Sequence, residues 1–221
     1  MDPENCRSEV GFMRYITAFC LLFLLVIDMY GIDPEWFSKA KSYIEYSEYF
    51  IRYQPKRGCY QSPNRAQGLR FSYYEDGFGV EPRVGGGWRI GVYVYEYGNW
   101  DCVVPFSCVD IQTFENRLVA RGFGMDILYE NSKRGLQQSF VVHSDPGGSE
   151  LILGFHFEGK YKVFNDCVRF YDEAGKVIMV YGNISVHDAD GKKLDWHFED
   201  KDNCVYLIIE EVGVRYPIVI E

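Results

Sequence analysis

The sequence predicts a mainly β protein: an antiparallel β-sandwich or open barrel with a short N-terminal helix. Three observations carry this reading. Aromatic residues make up 17% of the 221, with 18 Tyr and 16 Phe, a composition that favours strands. After Gly68, apolar and polar side chains alternate at period two in many short runs. Gly- or Asp-rich turns separate those runs at spacings too short for a crossover helix, which leaves antiparallel pairing.

At the N-terminus one basic residue, Arg14, precedes an apolar stretch from Tyr15 to Ile27 that Asp28 ends. The stretch falls short of the roughly 20 residues of a membrane span and suits the roughly 7–15-residue core of a signal peptide. Residues 1–31 therefore read as a signal peptide, with Met13 as an alternative start, and the protein as secreted or held at the cell surface. Gly31 offers a cleavage position, while Met29 departs from the small-x-small pattern. Cleavage there removes Arg7, Arg14, Asp2, Glu4, Glu9 and Asp28, so the net charge moves from −9 to −7.

Residues 32–67 form a helical or irregular leader. Asp33 suits a helix N-cap, Pro34 the first helical position and Glu35 the positive end of the helix dipole. Trp36, Phe37, Ala40, Tyr43, Ile44, Phe50 and Ile51 recur at helical spacing, which extends the helix to about Tyr53. The aromatic density of Tyr46–Tyr53 supports a strand there as the competing reading. Pro55, Gly58, Pro63, Asn64 and Gly68 mark residues 55–68 as loop.

The β-rich domain spans residues 68–221. Leu69, Phe71 and Tyr73 alternate with Arg70 and Ser72. Residues 90–95 are apolar on both faces. Runs follow at 124–130, 138–143 and 150–158, where Leu151, Leu153, Phe155 and Phe157 share one face. Further runs occupy 168–171, 176–181, 184–187, 194–198, 205–210 and 217–220. The turns between them include residues 85–87, 145–148, 173–175 and 188–191.

Composition and motifs narrow the function. The acidic balance argues against nucleic acid as a partner, since binding phosphates needs cationic charge. The Gly85–Gly87 triplet lacks the Lys-Ser/Thr of a phosphate loop and reads as a hairpin connection. Asp188, Asp190 and Gly191 lack the further ligands of a calcium loop and read as a β-turn. His143, His156, His187 and His197 show no metal spacing, and no nucleophile motif, zinc signature or cofactor motif appears. The sequence thus assigns no catalytic residues, no metal and no cofactor. Asn183-Ile184-Ser185 is a glycosylation sequon where the cell performs that chemistry. Five cysteines remain after export, and Cys102 and Cys108 bracket a short segment that a local disulfide could close; buried free thiols are the alternative. Tyr93, Tyr95, Tyr97 and Trp100 offer an exposed platform for stacking on a polysaccharide, or else one face of the core.

The order of several pieces resembles a known family. Gly124-Met125-Asp126-Ile127 is followed by Phe140-Val141-Val142, then Pro146-Gly147, then Phe157-Glu158-Gly159, and the chain closes on Pro217-Ile218-Val219-Ile220-Glu221. This succession resembles an uncharacterised domain of secreted bacterial proteins that stands ahead of seven-bladed β-propeller (SBBP) repeats. Gln138-Ser139 stands where that family has Tyr-Asp. The resemblance implies a β-rich extracytoplasmic accessory domain, with propeller repeats in a longer chain and no catalytic residues to carry over.

Three functional readings follow. The first is a non-catalytic exported β-sandwich with a structural or binding role toward a surface protein or polysaccharide. The second is a carbohydrate-binding module using the aromatic platform. The third is a hydrolase built on His156 with Glu158 or Asp126, which requires a concave pocket joining those groups.

Overall fold

The computed structural model describes residues 34–201 and 204–221. The signal peptide expected over residues 1–31 lies outside them. The chain divides into two compact units, Met1–Tyr46 and Ser47–Glu221. In the first, the described element is helix α1 (Pro34–Ser47). Pro34 opens it, as its fixed φ and missing N–H allow. It ends six residues before the expected Tyr53, and the chain then becomes extended.

The second unit is built of strands. In chain order these are β1 (Arg52–Gln54), β2 (Cys59–Asn64), β3 (Leu69–Tyr73), β4 (Gly77–Pro82), β5 (Ile90–Asn99), β6 (Cys102–Pro105), β7 (Cys108–Phe114), β8 (Arg117–Gly122) and β9 (Met125–Ser132). They continue as β10 (Gly135–Val142), β11 (Glu150–Glu158), β12 (Lys160–Val163), β13 (Cys167–Tyr171), β14 (Val177–Gly182), β15 (Val186–His187), β16 (Trp196–Lys201), β17 (Cys204–Glu210) and β18 (Ile218–Ile220).

The strands form three antiparallel sheets. The first has the order β1-β2-β3-β4-β5-β11-β17-β16, with β6 paired to β5. The second runs β15-β18-β10-β9-β8-β7, and a small third sheet is β12-β13-β14. None closes into a barrel, so the sandwich alternative holds. β1 and β2 belong to the first sheet, which corrects the expected leader: within the expected loop 55–68, residues 55–58 and 65–68 are turns but 59–64 are strand. Pro63 sits inside β2 opposite Arg70. Its lack of an N–H made the segment read as a break.

One contiguous core lies between the sheets. Phe71, Phe78, Val92, Val94, Leu153, Phe155 and Leu207 face Leu118, Ile127, Tyr129, Phe140, Val142 and Ile218. Rings meet edge to face across the gap: Tyr73 and Tyr129 at 5.2 Å between centroids, and Phe140 and Phe155 at 5.9 Å. β9 shows why the second sheet forms here. Met125, Ile127, Tyr129 and Asn131 are buried and alternate with half-buried residues, the pattern of a strand with one face on the core.

A buried polar cluster ties the two sheets at one end. Asn131 Nδ2 donates to Ser62 Oγ, and Asn64 Nδ2 donates to Asn131 Oδ1 at 2.8 Å. Ser62 Oγ also lies 2.8 Å from the Tyr73 hydroxyl. Each of these polar groups is satisfied, which is the condition for burying them without a large penalty.

Candidate functional site

The aromatic platform expected from the sequence is divided by a β-bulge. β5 pairs with β11 as Val94↔Phe155 and then Glu96↔Gly154, so Tyr95 is the extra residue. A bulge inserts one residue and shifts the alternation beyond it. Tyr93 and Tyr95 therefore share the outer face of the first sheet, while Tyr97 turns inward against the core. Tyr97 is not part of a platform.

The outer-face rings lie flat on glycines. A β-carbon at Gly154 would stand 2.9 Å from Tyr95 Cζ, and one at Gly77 2.8 Å from Tyr93 Cδ1. Tyr93 stacks on His156 with centroids 6.4 Å apart. The Tyr95 hydroxyl donates to the Tyr206 hydroxyl at 3.0 Å, and Tyr206 donates to Glu96 Oε1 at 3.1 Å. Burial, reinforced by its hydrogen bonds to Cys204, Tyr206 and Glu96, pushes the Tyr95 hydroxyl far above the ordinary tyrosine range, so it stays a neutral donor.

Trp100 is 40% exposed but engaged. Its Nε1 donates to Glu150 Oε2 at 2.8 Å, the Tyr206 ring packs 5.1 Å away, and Lys201 Nζ sits 4.0 Å above the indole. A cation over one face leaves that face closed to a sugar ring. Tyr206 was not singled out from the sequence, although Val205, Leu207 and Ile209 alternating around it are the signal that places it outward.

A cleft that sequence reasoning missed lies elsewhere. It has a volume of about 860 Å³ and opens between β3 and β4, the start of β10, and β14. Its floor is apolar, from Phe71, Phe78, Leu136, Phe140 and Ile178. Across the floor runs a short relay. The Tyr181 hydroxyl donates to Gln138 Oε1 at 2.8 Å, and Gln138 Nε2 donates to the Tyr129 hydroxyl at 3.1 Å. Burial raises both tyrosines above their ordinary range, so they act as neutral hydrogen-bonding groups. Gln67, Gln137, Asn183 and Arg134 supply a polar rim. No sequence motif marks this cleft, because its walls come from strands far apart in the chain.

The residues of the family-like motif are distributed through the framework. Gly124 lies under the Tyr97 hydroxyl, Phe140 and Phe157 are core, and Gly159 turns at φ 112°. Pro146 and Gly147 form a turn whose carbonyls both accept from Asn99 Nδ2 at 2.7 Å. Asp126 pairs with His143 at 3.2 Å on the second sheet, and Pro217 leads into β18.

His156 and Glu158 share the exposed face of β11, Asp126 sits on β9 beside His143 and away from both, and none of these lines the cleft. Among the described residues, no cluster of three His, Cys, Asp or Glu could hold a metal ion, and no helix is long and apolar enough to cross a membrane. The Asp188 carboxylate instead accepts the N–H groups of Asp190, Lys192 and Arg215.

The expected Cys102–Cys108 bridge is not formed. Cys102 begins β6 in the first sheet and Cys108 begins β7 in the second, and both are free thiols, as are Cys59, Cys167 and Cys204. Each cysteine is held by the ladder of its own sheet, and Cys108 Sγ donates to the Asp110 carbonyl.

Comparison with protein-family models, with curated proteins and with solved structures gives no match.

Proposed function

We propose that the β unit is a non-catalytic binding module of an exported or cell-surface protein, and that its ligand occupies the cleft between β3–β4, β10 and β14. The observation that carries this reading is the cleft itself: about 860 Å³, with an apolar aromatic floor and an amide-rich rim. A concavity that joins apolar rings with converging polar groups is a common form of ligand site. Of the two glutamates that line it, Glu130 and Glu221, the first is held by Arg117 at 2.9 Å. The Tyr15–Ile27 stretch supports export, and the motif order supports a place ahead of β-propeller repeats.

The side-chain amides of Gln67, Gln137 and Asn183 around an aromatic floor suit a polysaccharide. Affinity electrophoresis in gels containing neutral polysaccharides tests this with the full chain. We expect retardation that Tyr181→Ala and Gln137→Ala abolish and Trp100→Ala leaves intact, with near-ultraviolet circular dichroism confirming that each variant is folded. Retardation lost only in Trp100→Ala moves the site to the outer face of the first sheet, the second reading, which the exposed edge of Trp100 favours. No retardation with any polysaccharide overturns the carbohydrate ligand. Fractionation tests compartment: a protein retained in the cytoplasm overturns export.

A further inference from the structure

β10 is paired along its whole length on one side and along only part of it on the other. Against β9 the register runs unbroken from Gly135↔Ser132 to Val142↔Met125. Against β18 it covers Phe140, Val141 and Val142 alone. The His143 N–H bonds the Gly124 carbonyl on the β9 side, and Glu221 exchanges two backbone bonds with Ser185 on the β15 side. Backbone groups of an antiparallel strand point alternately to its two neighbours. Phe140 and Val142 therefore turn theirs to β18. Leu136 and Gln138 turn theirs the same way, where the ladder has no strand among the described residues. That open edge walls the cleft, and Ile220 and Glu221 at the end of β18 line it too. The edge of β14 away from β13 also has no strand partner among the described residues and lines the same cleft.

We propose that the open edge of β10 receives an extended strand of a partner polypeptide, which runs antiparallel to β10 in the line of β18. This rests on the cleft as the ligand site and adds a partner that displaces polysaccharide from it. An unpaired row of N–H and C=O groups is a template for another strand. Continuing the β18 register, such a strand meets Gln138, Gln137 and Leu136 in turn. Leu136 and Gln138 share the side of β10 on which Phe140 is buried, so the residues opposite them lie over the apolar floor and the one between faces water. Charge fixes the ends. The strand begins beside Glu221 and ends beside Arg134, which both line the cleft and have no charged partner among the described residues. A positive first residue and a negative last one match them.

The test follows single backbone amides of the full chain by nuclear magnetic resonance. The probe is the peptide Val-Thr-Val-Thr-Glu, with a free amine and an amidated C-terminus. Its valines stand opposite Gln138 and Leu136, and its glutamate comes near Arg134. We expect slowed hydrogen exchange at the Leu136 and Gln138 N–H groups, lost when the second valine is N-methylated. Lysine in place of the glutamate weakens binding roughly threefold, and Arg134→Glu reverses that preference. Unchanged exchange at both amides overturns the proposal. So does equal binding of the N-methylated peptide, since the contact is then through side chains. Protection that grows with protein concentration without peptide assigns the edge to a second copy and overturns a partner strand. Polysaccharide retardation reads the ligand site separately. Retardation without peptide protection keeps the cleft as the ligand site and removes the strand; protection without retardation removes the carbohydrate and keeps the strand.

Discussion

Tyr97 reaches from the first sheet to Gly124 in the β8–β9 turn of the second, and its hydroxyl engages the Gly124 backbone. A β-carbon on Gly124 would overlap that hydroxyl. The contact exists because the bulge at Tyr95 turns Tyr97 inward.

Gly124→Ala should therefore destabilise the sandwich by about 1–3 kcal/mol, the usual cost of overpacking. Tyr97→Phe in the same chain removes the overlapping oxygen, and the double variant should recover most of the loss. Urea denaturation of the two single variants and the double reads the coupling. Strict additivity would show that the two residues do not meet.

Asn131→Ala should be among the costlier polar substitutions. Asn131 is fully buried and bonds Ser62, Asn64 and the carbonyls of Tyr49 and Pro63. Its removal strands several buried partners, a loss of about 2–4 kcal/mol. Chemical denaturation measures it. Asn99→Ala should by contrast loosen the residue 145–148 turn, where Asn99 holds two carbonyls; faster amide exchange there is the readout.

Asp188 gives the fold an acid-sensitive tie. Desolvation would raise its pKa, but the backbone N–H groups of Lys192, Arg215 and Asp190 outweigh it and hold the carboxyl below its ordinary value. A depressed folded-state pKa contributes stability that is present above the unfolded value of about 3.9 and is lost as pH falls through the folded value. Thermal melts should therefore show a lower Tm for Asp188→Ala near neutral pH, with the gap to wild type closing as pH drops below about 4. A gap constant with pH would assign the effect to packing alone.

The thiols should differ in reactivity. Cys102 is exposed, while Cys59 and Cys167 are buried, and burial pushes the Cys108 thiol above its ordinary range. Iodoacetamide on the native protein should modify Cys102 first, with Cys59 and Cys167 protected until denaturant is added. Peptide mapping without reductant checks the same residues for a bridge. A Cys102–Cys108 disulfide would contradict the placement of β6 and β7 in separate sheets.

Local pattern carried much of the architecture. The runs at 124–130 and 150–158 marked β9 and β11, because a strand with one face on a core must bury every second side chain. Pro34 marked the start of α1 for an equally local reason. β12 went unread although Lys160 and Lys162 alternate with Tyr161 and Val163, because four residues are too short a run to establish a period. β2 was read as loop because Pro63 and Asn64 favour turns, yet Asn64 is buried against Asn131 on a strand 67 residues away.

The sequence by itself determined the mainly β class, the apolar leader stretch, the start of α1 at Pro34 and the lack of any local catalytic motif. Each depends on neighbours along the chain. Tertiary structure alone decided which tyrosines share a face, because one inserted residue at the β5 bulge reverses the alternation that sequence takes as unbroken. It also decided that Cys102 and Cys108 stay apart, that Asp126 meets His143 rather than His156, and that a cleft opens beside Gln138. Those are outcomes of register and of sheet packing, which bring together residues whose separation in sequence carries no information about their distance in space.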